Sequence, residues 1–184
     1  MNDEVINYYL VCLSDEFKNE DILFITNHFY TKLIDEGNTN QYTFSNVKNW
    51  KFYNKNKPCE LLEAKQIFVP INYTREHWGL AVILRTESKI QYYDSMKYNG
   101  SLVMENLEKY IKESSTLRGV TVQDTWQHTC EDAPVQKGNT DCGVYLCMFA
   151  RLLSLEEDVL PAHGMAKEFR LYLAGLLFDD QITI

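Results

Sequence analysis

Behind Asn2 and Asp3, apolar residues recur at Val5, Ile6, Tyr9, Leu10 and Leu13. That spacing buries one face of a helix, and Asn and Asp are good N-cap types, so the pattern predicts a helix over residues 3–18. Ile22 to Ile25 is a short apolar run that reads as a strand. A second helical stretch passes through Phe29, Leu33 and Ile34 to a stop at Gly37, followed by a polar loop from Gly37 to Asn46. Three apolar segments come next, Gln66 to Ile71, Trp78 to Leu84 and Ile90 to Tyr93, separated by polar or turn-forming residues such as Asn72 to Glu76. They read as strands of one sheet. The nearly continuous apolar run Gly79 to Leu84 suits a strand covered on both faces, so it belongs at the centre. Leu102, Val103, Leu107, Tyr110 and Ile111 predict a helix over residues 102–113, and Val120 to Trp126 alternates like another strand. A further helix is expected from about Asp141, with Leu146, Phe149, Ala150 and Leu153 on one face, and a last one from about Ala162 to Phe178. The class is α+β, a central mixed sheet flanked by helices, without internal repeats.

Composition narrows the function classes. The 184 residues fit a single domain over the whole length, and 45% hydrophobic with 24% charged residues is the balance of a globular chain. No apolar run approaches the roughly 18 residues that span a bilayer, and the N-terminus is acidic and amphipathic, unlike a secretion signal. The five cysteines, at 12, 59, 130, 142 and 147, are odd in number and lack the paired spacings of a disulfide framework or zinc site. An intracellular, reducing location, nucleus or cytoplasm, is therefore expected. The net charge of −8 without a basic block would repel nucleic acid, so neither nucleic acid nor membrane is an expected partner. No heptad seam argues against a monomer.

The residues suited to chemistry cluster around Cys142. A thiol becomes nucleophilic where its pKa is lowered or its proton is taken, and a helix N-terminus with a histidine nearby does both. Asn139, Thr140 and Asp141 are cap-forming types, which places Cys142 in the first helical turn, and Gly143 would keep the approach open. Cys147 lies further along the same helix near its apolar face and reads as core. His77 heads the central strand. Asp94 ends the next strand, where a carboxylate can hold an imidazole ring, although a turn-initiating aspartate would look the same. Gln136, in a loop between Pro134 and Gly138, could donate an amide N–H to a developing oxyanion or be an ordinary loop glutamine.

The strings HWGLAVI, YYDS and PVQKGNTDCGVYLC, in that order, resemble the catalytic segments of the SUMO-specific, or sentrin-specific, cysteine proteases of the adenoviral-protease-like clan. The opening NDEVINYYL and the later HFYTKL resemble that family's first helix and the segment after it, so the similarity runs from about residue 2 to about residue 155. The resemblance implies a papain-like cysteine protease fold and cleavage after the terminal diglycine of SUMO or a SUMO-like modifier, without metal or organic cofactor. It implies Cys142 as nucleophile, His77 as base, Asp94 as orienting carboxylate and Gln136 as oxyanion donor. Trp78 matches a tryptophan that packs over the diglycine, and Asp3 matches a carboxylate that helps bind the modifier's folded body.

Three departures stand out. The family carries a further strand and a tryptophan upstream of the NDE string, which is absent from this sequence; residues 48–63 diverge; and similarity after Leu155 is weak. Other readings stay open at this level: a protease of the same fold acting on NEDD8 or ubiquitin, or a modifier-binding module with poor turnover. An acetyltransferase on the related fold would need a basic cluster for acyl-CoA phosphates, and none is evident.

Overall fold

The computed structural model describes residues 1–17, 21–54, 57–73, 76–162 and 164–179. Helix α1 (Asp3–Glu16) is opened by Asn2, whose side chain accepts the Val5 N–H at 3.1 Å, while Asp3 and Glu4 in the first turn complement the helix dipole. It buries Ile6, Tyr9, Leu10 and Leu13 and closes where the Phe17 N–H returns to the Leu13 carbonyl at 2.8 Å. Residue 18 lies outside the described residues. Strand β1 (Ile22–Phe24) and helix α2 (Asn27–Leu33) follow. The second helix stops short of Gly37: the backbone already turns left-handed at Asp35 (φ 49°), whose carboxylate gathers the side chains of Asn38, Thr39 and Asn46. A small hairpin, β2 (Phe52–Asn54) with β3 (Lys57–Cys59), was not visible in the sequence pattern.

The main sheet adds β4 (Gln66–Tyr73), β5 (His77–Leu84), β6 (Lys89–Tyr93) and β7 (Gln127–Cys130) in the order β1-β4-β5-β6-β7. The three central strands are antiparallel and both edge strands pair in parallel, so the sheet is mixed, as expected. The turn expected between β4 and β5 includes residues 74 and 75, which lie outside the described residues.

Alternation along the strands divides the core in two. Phe68, Trp78, Leu80 and Val82 face α1, α4 (Cys142–Ser154) and α5 (Ala166–Asp179). Ile67, Val69, Ile71, Ala81 and Ile83 face α2 and α3 (Ser101–Arg118). The run from Gly79 to Leu84 is apolar throughout because helices cover both of its sides.

Two boundaries differ from expectation for local reasons. Residues 120–126 are not a strand: α3 runs on to Arg118, ends at Gly119 (φ 65°), and the Trp126 indole donates to the Gln123 carbonyl at 3.0 Å. Pairing with β6 begins only at Gln127, opposite Lys89. The last helix starts at Ala166 because Gly164 has φ 89°, which a right-handed helix cannot contain; a single 3₁₀ turn, Leu160–Ala162, precedes it. Residue 163 is outside the described residues.

Candidate active site

Strands β5 and β6 run antiparallel with Leu80 opposite Tyr93. The first residue of β5 and the residue just after β6 therefore meet at one end of the sheet. There His77 Nε2 lies 2.8 Å from Asp94 Oδ2, and the two side chains are almost fully buried. The Tyr92 hydroxyl donates to the same Asp94 oxygen at 3.1 Å, and the Met96 N–H donates to the other at 2.7 Å. Asp94 is thus a turn-forming aspartate and a histidine partner at once. The Tyr98 ring tilts over the imidazole with 4.5 Å between centroids.

Helix α4 delivers the thiol to the same end of the sheet. Cys142 is its first residue, behind Asp141. Asp141 makes no side-chain capping bond; its carboxylate instead meets Arg170 of α5 at 2.5 Å, and Arg170 also donates to the Thr140 carbonyl at 3.0 Å. The first turn is thereby left open to the sulfur, whose negative charge is favoured by the His77 ring and by the N–H groups of Trp78 and Gly143.

These contacts decide the protonation states. Burial opposes charge on His77, but the hydrogen bonds to Asp94 and Cys142 and their negative charge outweigh it and push the imidazole up to about 9. Burial likewise opposes a thiolate at Cys142, and the His77 contact with the Trp78 and Gly143 amides overcomes it, so the thiol is held below its ordinary value. Both shifts favour the same charge pair, a thiolate facing an imidazolium. Cys147, five residues on, is its opposite: burial without a partner pushes its thiol up, as befits a core residue.

Gln136 is buried rather than a solvated loop residue. Its backbone N–H donates to the Ser95 carbonyl at 2.9 Å, its side-chain oxygen accepts from the Ser95 hydroxyl at 2.7 Å, and its side-chain amide donates to the Gly138 carbonyl. Ser95, adjacent to Asp94, thus ties the glutamine loop to the histidine–aspartate pair. Trp78 is buried, with its indole N–H donating to the Met1 carbonyl at 3.2 Å. It shares a cleft of about 350 Å³ with Asp3, His28, Thr31, Glu36 and Asn72. Gly143 does not keep an approach to the thiol open. It is buried, and a Cβ there would come within 3.1 Å of both Met1 and Ile6, so its bareness makes room for the start of α1.

All four expected catalytic side chains thus sit at one end of the sheet. Sequence reasoning missed Tyr92, Ser95 and Arg170. A signal existed for Tyr92, which stands two residues before Asp94 and so on the same side of the strand; none existed for Arg170, which arrives from the last helix.

A buried carboxylate, imidazole and thiol linked in series at a helix N-terminus define a cysteine hydrolase. Residues 1–175 match the Ulp1 protease family, C-terminal catalytic domain, and the chain belongs to that family of cysteine proteases. It is 33% identical over 162 residues to Ubiquitin-like-specific protease ESD4 of Arabidopsis thaliana, covering 84% of this chain and 32% of that protein. It is 30% identical over 190 residues to human Sentrin-specific protease 2, covering 99% of this chain and 30% of the relative. The chain thus spans about a third of the length of these curated relatives. Its fold is similar to that of the C-terminal Ulp1 protease domain solved in complex with Smt3, the yeast ortholog of SUMO. That similarity has a TM-score of 0.80 and 25% identity, over 98% of this chain and 77% of that one.

Proposed function

We propose that this chain is a SUMO-specific cysteine protease that cleaves after the C-terminal diglycine of a SUMO-like modifier, releasing it from a precursor or an isopeptide-linked conjugate. The observation that carries the reading is the Cys142–His77–Asp94 series, with its thiol at the first turn of α4 and held below its ordinary value. The thiolate attacks the carbonyl carbon of the terminal glycine, and the carbonyl π pair moves onto oxygen. The oxyanion is received by the Cys142 N–H and the second N–H of the Gln136 amide, each donor worth roughly 3–4 kcal/mol in such sites. As the tetrahedral centre collapses, the carbon–nitrogen bond breaks and the His77 imidazolium protonates the departing amine. Water, deprotonated by His77, then adds to the thioester carbonyl, and the carbon–sulfur bond breaks to release the carboxylic acid end and restore the Cys142 thiolate beside the His77 imidazolium. Asp94 holds the imidazole in orientation throughout. No step calls for a metal or an organic cofactor.

Trp78 lies over the path of the diglycine in this reading, and the adjoining cleft with Asp3 at its rim receives part of the modifier's body. The chain acts as a monomer inside the cell, in nucleus or cytoplasm, where reducing conditions preserve a thiolate nucleophile. The test is reaction of the purified protein with SUMO, NEDD8 and ubiquitin bearing C-terminal vinyl-sulfone electrophiles, with Cys142→Ala as control. An adduct with SUMO alone is expected. An adduct with another modifier would reassign the substrate, and none from a folded protein would refute the enzymatic reading.

A further inference from the structure

The ring of Tyr92 is 1% exposed and fits between two glycines. A Cβ at Gly79 would stand 1.9 Å from its hydroxyl oxygen, and one at Gly100 2.2 Å from its Cγ. Neither glycine is among those with positive φ, so it is the absent side chain that matters at both positions. A buried phenol needs a partner for its O–H, and here the partner is Asp94 Oδ2, the oxygen that also meets His77 Nε2. Packing alone would be met by phenylalanine; the hydroxyl adds a hydrogen bond to the orienting carboxylate.

We infer that Tyr92 is a positioning residue for the reaction: its hydroxyl holds the Asp94 carboxylate in line with His77 Nε2 and draws off part of that oxygen's charge. The inference rests on the assignment of Cys142, His77 and Asp94 above. Two effects follow. Without the hydroxyl the carboxylate loses one of its described restraints and keeps those from His77 and the Met96 N–H, and the imidazole loses some of its orientation. The undiluted carboxylate also binds the imidazolium proton more tightly. Among the described residues, the titratable groups against His77 include Asp94 from the end of β6, Cys142 from α4 and Tyr98 from the turn after β6, with Tyr92 acting through Asp94.

The experiment compares wild type, Tyr92→Phe and Tyr92→3-fluorotyrosine in steady-state cleavage of a SUMO–fluorophore fusion across pH. Tyr92→Phe is expected to lower kcat about tenfold with little change in KM, the loss of roughly one hydrogen bond to a charged group. Its basic limb should move upward. The fluorinated ring, nearly the same size but a stronger donor, should move that limb downward, a reversal that packing cannot produce. Wild-type kcat and an unmoved limb in both variants, with Cys142→Ala inactive, overturn the role of Tyr92 alone. Wild-type turnover by Cys142→Ala overturns the catalytic assignment and this inference together.

Discussion

Replacing Asp94 with asparagine tests the electrostatic core of the site. The carboxylate now accepts three hydrogen bonds, from His77 and Tyr92 on one oxygen and from the Met96 amide on the other. Asparagine can accept on one side only; its NH₂ must face either the amide or the His77–Tyr92 pair, and the negative charge beside the imidazole is gone. The imidazole should then fall from about 9 toward an ordinary 6.5. At most that is about 3 kcal/mol of lost preference for the charged ring, since part of the elevation comes from Cys142. The imidazole would then no longer favour a thiolate beside it, and turnover near pH 7.5 should drop by roughly a hundredfold. The assay has two arms: cleavage of a SUMO–fluorophore fusion, and the pH dependence of Cys142 alkylation by iodoacetamide followed by mass spectrometry. Wild type should alkylate below the usual thiol range and lose activity as pH rises through about 9, where His77 gives up its proton. Asp94→Asn should lose the low-pH alkylation. An unchanged alkylation profile with turnover within about threefold of wild type would show that the Asp94 charge does not sustain the site.

Three other perturbations separate the site from its scaffold. At neutral pH, limiting iodoacetamide should label Cys142 and spare Cys147, whose thiol is buried and pushed up; peptide mapping that finds Cys147 labelled in folded protein would contradict this. Arg170→Ala frees the Thr140–Asp141 turn but removes only a half-exposed ion pair. It should change stability by less than about 1 kcal/mol in a urea titration while lowering kcat/KM roughly three- to tenfold, and a stability loss without a kinetic one would reverse that account. Phe68→Ala removes a fully buried ring stacked on Phe24 at 4.9 Å and should cost about 3–5 kcal/mol in the same titration; a loss under about 1 kcal/mol would contradict its place in the core.

Much of the frame was legible because it is written in short-range periodicity. The apolar face of α1, the doubly covered β5 and the start of α4 at Cys142 each follow from residues within a turn or two of one another. The candidate catalytic groups were legible for the same reason: His77 heads one strand, Asp94 ends the next, and Cys142 follows a set of capping types. The misjudged boundaries depended on backbone conformations that composition only hints at. The left-handed turn at Asp35 preceded the glycine expected to stop α2, and Gly164 delayed α5.

The features beyond reach of the pattern involve partners that are distant along the chain. Periodicity reports that a residue faces inward, not what it meets there. Residues 120–126 alternate like a strand, yet the register with β6 admits only residues 127–130. Gly143 is bare beside the nucleophile because α1 brings Met1 and Ile6 against it, and Asp141 leaves its helix uncapped because α5 supplies Arg170. The Tyr92 ring finds room because Gly79 on the neighbouring strand and Gly100 at the start of α3 both lack a Cβ. Local residue order sets which elements form and which groups could react. Close packing of surfaces from separate elements decided how those groups are held, because a hydrogen bond or a van der Waals contact depends on distance in space and not along the chain.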